Sequence, residues 1–165
     1  MRIALVGQPN CGKSTLFNSV SGYKAVVSNF PGTTIEFISS KVRVNFREFE
    51  LVDLPGIYSL SAPDTEERMA RDYLFQKRPD VIINILDASV LSRSLELTLE
   101  LLGTGIPMIV CLNMVDEARR KGIIIDTAKL SDELGVPVVP TVAIRSQNKP
   151  EQRDNAVPAA QAGCP

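Results

Sequence analysis

The stretch 7-GQPNCGKS-14 has the residue types and the spacing of a phosphate-binding loop, G-x-x-x-x-G-K-[ST]. An apolar run, 2-RIALV-6, precedes it and a helix-like segment, 14-STLFNSV-20, follows it, which is the context that such a loop requires. Its two glycines permit a tight turn whose backbone N–H groups face an anion at a helix N-terminus. A glycine-rich turn that binds nothing is the alternative, and the flanking elements argue against it. We therefore predict that the whole loop binds a nucleotide: Gly7, Gln8, Pro9, Asn10, Cys11, Gly12, Lys13, Ser14 and Thr15.

A second element of phosphoryl-transfer chemistry follows about 40 residues later, in 51-LVDLPGIYSL-60. Lys13 is predicted to reach the β- and γ-phosphates, and Ser14 and Asp53 to hold magnesium. The Gly56 backbone N–H is predicted to approach the γ-phosphate. An isolated Asp-Leu-Pro-Gly sequence is usually an ordinary turn, but the upstream phosphate loop favours the functional interpretation. Ile57 stands where a polar group would orient water, so no side-chain base is apparent.

A purine selector is predicted in 113-NMVD-116, directly after the apolar strand 107-PMIVCL-112. Ligands of open α/β sheets bind beyond the carboxyl ends of such strands. The Asp116 carboxylate can accept hydrogen bonds from the N1–H and the 2-amino group of guanine, and adenine lacks that donor pair. Asn113 would tie this loop to the phosphate loop, with Met114 beside the nucleotide. The alternative for Asp116 is a helix N-cap.

The last loop around the base is expected at 140-PTVA-143, so that Thr141, Val142 and Ala143 complete the nucleotide site. The Ala143 N–H would meet the carbonyl of the base. Val142 occupies the position where a polar residue is usual ahead of the alanine.

Alternating apolar runs and helix-period segments must position these residues. Strands are predicted at 2–6, 35–46, 48–53, 81–86, 107–112 and 136–139, and helices at 13–21, 65–77, 91–103 and 126–135. This order predicts an α/β fold with a mostly parallel, doubly wound sheet, helices on both faces and one antiparallel edge hairpin. In the third helix, Leu95, Leu99 and Leu102 form the predicted apolar stripe, with Glu96 and Glu100 off it. On the second helix, five charged residues are interpreted as a solvated or interdomain face: Glu66, Glu67, Arg68, Arg71 and Asp72.

Composition limits the classes of function. A chain of 165 residues with a formal charge of −1 suits one domain and gives no case for nucleic-acid binding. No apolar run approaches the ~18 residues of a spanning helix, and no signal peptide is visible, so the chain itself is expected to be soluble. Histidine is absent, and Cys11, Cys111 and Cys164 are too far apart for zinc-finger spacing. We predict one domain at 1–143, with 144–165 as a disordered tail or an artificial extension.

With these motifs in hand, the chain resembles the cytosolic GTPase domain of FeoB ferrous-iron transporters. The most specific matches are 53-DLPGIYSLS-61 and 113-NMVDEARRKGIIID-126, supported by 7-GQPNCGKSTLFN-18, 29-NFPGTTIE-36, 71-RDYL-74, 87-DAS-89 and 97-LTLELL-102. The resemblance implies a Ras-like P-loop fold and magnesium-dependent hydrolysis of GTP to GDP. It also implies a membrane permease as the rest of the transporter, a place on the cytoplasmic side of the bacterial inner membrane, and homo-oligomerisation through the G domain as an open option.

The resemblance further assigns roles in the first switch loop, 28-SNFPGTTIE-36. Thr34 would bind magnesium, with Thr33 as the less favoured choice. Many proteins of this kind use a potassium ion near the phosphates, and the resemblance implies such an ion here on Asn10 with backbone carbonyls near Ser28 and Phe30. The alternative for Asn10 is an amide that stabilises the turn and binds no ion. The catalytic set that the resemblance and the motifs imply is Asn10, Lys13, Thr34 and Gly56.

Two rival functions stay open at this point. The first is a nucleotide-switched binding module with negligible turnover. The second is a ribosome-assembly GTPase, which would bring a basic RNA-binding extension that the tail of this chain does not offer.

Overall fold

The computed structural model describes residues 1–21, 26–29, 36–61 and 63–142. The predictions for Phe30, Thr33, Thr34, Ala143 and the tail lie outside the described residues. The strands are β1 Arg2–Gly7, β2 Val26–Asn29, β3 Glu36–Val44, β4 Arg47–Asp53, β5 Val81–Asp87, β6 Met108–Asn113 and β7 Val138–Pro140. The α-helices are α1 Lys13–Ser21, α2 Thr65–Asp72, α3 Leu91–Leu102, α4 Val115–Arg120 and α5 Thr127–Leu134. Within these ranges no helix combines the length and the apolarity that crossing a bilayer requires.

The strands form one sheet in the order β2-β3-β4-β1-β5-β6-β7. Strands β4, β1, β5, β6 and β7 run parallel, whereas β3 is antiparallel to β4 and β2 is antiparallel to β3. The predicted fold class is therefore confirmed, and the antiparallel edge has three strands because β2 joins the hairpin. Parallel strands end at the same edge of a sheet, so Gly7, Asp53 and Asn113 all come to that edge.

Alternate residues of the central strands build a core on each face of the sheet. Ala4 and Val6 of β1 join the larger core cluster, which also takes in Leu97 and Leu101 of α3. Leu5 points the other way into a smaller cluster that includes Phe17 of α1. Beside α1 on this second face lies an apolar groove of about 330 Å³. Helices thus lie on both faces of the sheet, and the face that α1 covers has the smaller core cluster.

Two helices differ in detail from their predictions. The helix predicted at 65–77 has that extent, but it is α-helical only to Asp72, and a π-helical turn, Tyr73–Lys77, completes it. In α3 the predicted leucine stripe faces the core at two of its three positions: Leu95 and Leu102 pack against the larger core cluster, whereas Leu99 is 61% exposed. The residues of α3 that are buried are Ser94, Leu97, Thr98 and Leu101. Two of them are polar, and Asn84 Nδ2 of β5 donates to Thr98 Oγ1 at 2.7 Å.

Candidate nucleotide-binding site

The loop from β1 to α1 is folded tightly around its own backbone. Cys11 N donates to Gln8 O at 3.3 Å, and Leu16 N donates to Gly12 O at 3.0 Å in the first turn of α1. Asn10 and Gly12 have positive φ angles of 63° and 91°. A Cβ atom on Gly12 would lie 2.2 Å from Asn113 Nδ2, so both the backbone and the space require glycine here.

This loop borders an open cavity of about 490 Å³. Nine of the residues that line it belong to the predicted site: Gln8, Pro9, Asn10, Gly12, Lys13, Ser14, Thr15, Gly56 and Met114. Glu66 of α2 also lines the cavity. Glu66 is exposed, as the interpretation of a solvated face predicted, but its position beside the cavity was not predicted, because no local pattern says that the start of α2 turns toward the loop. The same interpretation was wrong for its neighbour Glu67, which is only 7% exposed.

The end of β4 places a carboxylate beside the head of α1. β1 and β4 are parallel neighbours with Leu5 opposite Asp53. Lys13 Nζ lies 2.5 Å from Asp53 Oδ1, and the two side chains are only 9% and 6% exposed. Ser14 Oγ donates to Asp53 Oδ2 at 3.3 Å. A hydroxyl and a carboxylate oxygen in contact are hard oxygen donors, which suit magnesium when phosphate and water supply its other ligands.

The turn after β4 packs directly on the phosphate loop. Leu54 N donates to Leu5 O at 3.2 Å, and Ile57 N donates to Gly7 O at 3.1 Å. A Cβ atom on Gly56 would come within 3.0 Å of the Pro9 backbone, so the close approach depends on glycine. The Ile57 side chain is 0% exposed and lies in the larger core cluster. It therefore contributes to the core and does not line the cavity.

Asn113, at the end of β6, connects the phosphate loop with the loop after β7. Its Nδ2 donates to Cys11 O at 2.9 Å, and Thr141 Oγ1 donates to its Oδ1 at 3.5 Å. Thr141 also bonds through its backbone N to Leu112 O at 2.8 Å. The predicted tie between Asn113 and the phosphate loop is thus a side-chain to backbone hydrogen bond. Val142 is half-buried at the end of the described chain.

Asp116 lies in the first turn of α4, which begins at Val115 after Met114 in a left-handed conformation with φ 58°. Asp116 therefore does not cap the helix. Its side chain is 41% exposed, and its carboxylate lies 3.9 Å from Arg120 Nη2. Arg120 contacts Glu117 more closely, at 2.5 Å. Asp116 is not among the residues that line the cavity, whereas its neighbour Met114 is.

The predicted potassium ligands are only partly described. Asn10 is exposed at the rim of the cavity, and Ser28 lies in β2 opposite Phe37 of β3. The third predicted ligand, the Phe30 carbonyl, lies outside the described residues.

Both described cysteines are buried and free of disulfides. Burial raises the pKa of the Cys11 thiol from 9.0 to about 11. Burial also raises the pKa of Cys111, and the hydrogen bond with Thr141 opposes that rise. At neutral pH both thiols are protonated, so the Cys11 side chain is a small apolar filler beneath the loop.

The sheet, the phosphate loop and the acidic turn that packs on it define the class of this protein: it has the fold of a P-loop G domain. A family profile described as "Ferrous iron transport protein B" matches residues 1–156. The chain belongs to this FeoB family, which confirms the resemblance.

Curated relatives are considerably longer than this chain. The Fe(2+) transporter FeoB of Campylobacter jejuni is 47% identical over 148 residues, which is 90% of this chain and 24% of the relative. The Fe(2+) transport protein A/Fe(2+) transporter FeoB fusion protein of Porphyromonas gingivalis is 43% identical over 158 residues, which is 95% of this chain and 19% of the relative. The chain therefore spans between 19% and 24% of the length of these two proteins.

Solved structures give the same family and fold. A mutant of S. thermophilus NFeoB bound to GDP is 48% identical with a TM-score of 0.83, covering 88% of this chain and 57% of that one. The FeoB G-domain of Methanococcus jannaschii is 42% identical with a TM-score of 0.77, covering 87% of this chain and 86% of that one.

Proposed function

We propose that this chain is the guanine-nucleotide-binding and GTP-hydrolysing domain of a ferrous-iron uptake transporter. One observation carries the proposal: a cavity of about 490 Å³ is lined by residues of the phosphate loop, and two of them, Lys13 and Ser14, bind the Asp53 carboxylate. Membership of the FeoB family supports the guanine nucleotide, because a relative is described in complex with GDP.

The chain's own residues bind the triphosphate in this proposal. Backbone N–H groups of the loop and the N-terminus of α1 donate to the phosphate oxygens. Lys13 donates to the β- and γ-phosphates. An ammonium has three N–H donors, and Asp53 accepts one of them at 2.5 Å, which leaves two for the phosphates. Ser14, Asp53 and Thr34 would hold magnesium, whose charge would offset that of the phosphates.

Hydrolysis is assigned to backbone groups and to a monovalent cation. The Gly56 N–H and the backbone around Thr34 orient the attacking water. Ile57 has no part in this step, because its side chain is 0% exposed. Asn10, with carbonyls near Ser28 and Phe30, would hold potassium, whose charge would stabilise the negative charge that develops between the β- and γ-phosphates.

The function of the longer protein is part of the same proposal. The rest of the transporter is a membrane permease, and this domain lies on the cytoplasmic side of the bacterial inner membrane. GTP binding orders the first switch loop and hydrolysis releases it, which is a recognised route for switching. Homo-oligomerisation would occur through the G domain.

Isothermal titration with GTP, GDP and ATP tests the binding step, and single-turnover hydrolysis in potassium or sodium tests the chemistry. We expect binding of both guanine nucleotides, discrimination against ATP by on the order of 10⁴-fold, and faster phosphate release in potassium. Equal and weak binding of all three nucleotides would refute the proposal. Tight guanine binding with no phosphate release in either salt would instead support a nucleotide-switched binding module.

Base selection predicts a specificity change in Asp116→Asn. The amide can donate to the C2 carbonyl of xanthine and cannot accept two hydrogen bonds from guanine. We expect weaker GTP binding and a relative gain for xanthosine triphosphate, measured by titration of both nucleotides. Asp132→Asn, on the exposed surface of α5, is the matched control and should leave both affinities unchanged. An unchanged preference in Asp116→Asn would show that another group selects the base.

A further inference from the structure

The loop that follows the Asp53–Gly56 turn is bonded to α3 through one carboxylate. Ser59 Oγ donates to Glu100 Oε1 at 2.8 Å. Leu60 N donates to the other oxygen of Glu100, Oε2. Both oxygens of Glu100 are therefore used by two successive residues of the loop. A carboxylate that accepts a backbone N–H forms a charge-assisted hydrogen bond, which is stronger than a neutral one.

Further contacts hold the same loop from other directions. Arg71 Nη1, from α2, donates to Leu60 O at 3.3 Å. Ser61 N donates to Ser59 Oγ at 3.0 Å, so the hydroxyl that binds Glu100 is itself oriented by the loop. Both the N–H and the carbonyl of Leu60 consequently have side-chain partners on two different helices, which fixes the orientation of the peptide groups on either side of it.

Helix α3 also contacts the phosphate loop. Gln8 Nε2 donates to the Arg93 carbonyl at 2.8 Å, and Gln8 is only 7% exposed. The Arg93 guanidinium lies 4.8 Å from the centre of the Tyr58 ring. Helix α3 thus contacts both loops. The Arg93 carbonyl, near the N-terminus of the helix, binds the phosphate loop, and the Arg93 side chain and Glu100 contact the loop after Gly56.

This arrangement matters for the proposed GTP hydrolysis, in which the Gly56 backbone N–H orients the attacking water. Ile57 N is bonded to Gly7 O at 3.1 Å, so Gly56 lies between the phosphate loop and the segment that Glu100 holds. A backbone N–H has no rotamer with which to correct its aim, and displacement of a reacting group by about 1 Å can cost on the order of 100-fold in rate.

We propose that Glu100 is a positioning residue: it fixes Ser59 and Leu60 on α3 and thereby holds the Gly56 N–H in its working orientation. The kinetic part of this inference rests on the proposed GTP hydrolysis. The structural part does not, because the two hydrogen bonds of Glu100 can be measured without nucleotide.

Four variants separate positioning from general stability. Glu100→Ala removes both hydrogen bonds, and Ser59→Ala removes one of them and leaves α3 intact. Glu100→Gln is the conservative variant, because its carbonyl can accept from Leu60 N while its amide donates to the Ser59 hydroxyl. Glu96→Ala is the matched control, one turn earlier on α3 and exposed.

Amide hydrogen exchange of Leu60, followed by NMR in the whole chain without nucleotide, is the first readout. We expect faster exchange in Glu100→Ala and protection close to that of the unaltered chain in Glu100→Gln and Glu96→Ala. Unchanged exchange in Glu100→Ala would overturn the inference whatever the enzyme activity. A failure of the unaltered chain to bind guanine nucleotide would count against the proposed function alone.

Steady-state hydrolysis is the second readout. We expect kcat to fall between about 10- and 100-fold in Glu100→Ala and by less in Ser59→Ala, with KM and the Kd for GDP within about twofold. Glu100→Gln should recover most of kcat. The inference would be overturned if kcat were unchanged while Leu60 exchanged rapidly, or if kcat, GDP affinity and thermal stability fell together in Glu100→Gln as much as in Glu100→Ala.

Discussion

At Gly12 of the phosphate loop, both the backbone conformation and the available space exclude a side chain. Its φ of 91° is one that L side chains rarely adopt, and a Cβ atom there would lie 2.2 Å from Asn113 Nδ2. The phosphate-loop motif in the sequence predicts the first requirement, a backbone conformation that favours glycine. The second requirement comes from a residue about 100 positions away, and it links the turn to the hydrogen bond between Asn113 and Cys11 O.

Gly12→Ala is therefore expected to damage the site beyond the backbone cost. The methyl group must displace the Asn113 amide and break its 2.9 Å bond to Cys11 O, which leaves a buried polar group unpaired at a cost of about 1–3 kcal/mol. We expect GDP affinity to fall by about 10-fold or more, measured by titration.

Gly105→Ala is the matched control. Gly105 also has a positive φ, 68°, but no atom lies within 4 Å of a Cβ built on it. This variant should lose about 1 kcal/mol of stability from the backbone alone and keep its GDP affinity. Equal losses of affinity in both variants would mean that the contact with Asn113 is irrelevant to the site.

Candidate residues could be predicted from the sequence wherever one short motif contains them. The residues of the loop 7–15 fall into this group because their spacing in the chain fixes their spacing in space. Asp53 belongs to a second short motif, and the parallel pairing of β1 with β4 brings it to the loop. Glu66 and Glu100 could not be found in this way. They reach the site and its supporting loop from helices whose orientation depends on tertiary packing, and a glutamate on a helix is by itself typical of a solvated face.

At the scale of elements, β5 and α3 meet through polar groups in the middle of the core. Asn84, Ser94 and Thr98 are between 0% and 1% exposed. Asn84 Nδ2 donates to Thr98 Oγ1 at 2.7 Å, and Thr98 Oγ1 donates to Ser94 O at 3.1 Å. Asn84 Oδ1 has no hydrogen-bond partner in the part of the chain that the structure describes. The interface between β5 and α3 is therefore less stable than it would be if this buried oxygen accepted a hydrogen bond.

The double variant Asn84→Leu/Thr98→Val is expected to be as stable as the unaltered chain or more stable by about 1 kcal/mol. It replaces both polar partners with apolar groups of similar shape and removes the unpaired oxygen. Thr98→Val alone should destabilise by about 1–3 kcal/mol, because it leaves the whole Asn84 amide without a partner. Urea unfolding of both variants measures the difference, and a neutral Thr98→Val would contradict the assignment.

Most elements were predicted within two residues of their bounds, whereas β2 and α4 were missed. β1, β5 and β6 are continuous apolar runs, and α5 has a clear beginning and end, with Asp126 and Gly135 as its caps. β2 has four residues and α4 has six, too few to show a period. The predicted stripe of α3 was wrong at Leu99, because hydrophobicity alone does not indicate that Ser94 and Thr98 of this helix face a buried asparagine.

At the scale of the whole molecule, the burial of a tyrosine hydroxyl and a cysteine thiol makes the free energy of unfolding depend on pH in the alkaline range. Burial raises the pKa of Tyr73 from 10.0 to about 12 and that of Cys11 from 9.0 to about 11. The native state therefore keeps protons that the unfolded chain has released. This contribution is fully present below about pH 9 and is lost as the pH rises through the native values.

We expect the free energy of unfolding to fall between pH 9 and 12, by about 1–3 kcal/mol for each group, in urea titrations at a series of pH values. Tyr73→Phe should flatten the part of the curve above pH 10. Tyr58→Phe is the matched control, since Tyr58 is 44% exposed and contacts Arg93 through its ring. A curve in Tyr73→Phe identical to that of the unaltered chain would show that Tyr73 is not the group responsible.

The buried Ile57 also limits how this protein can be redesigned. A glutamine introduced there would enter a core pocket where the isoleucine is 0% exposed, and its amide would need new partners among apolar neighbours. To reach the cavity it would have to leave that pocket, and the backbone at this residue is held by the 3.1 Å bond to Gly7 O. A single substitution at this position therefore cannot bring a glutamine side chain to the cavity: the turn, its packing and its link to β1 would have to be rebuilt together.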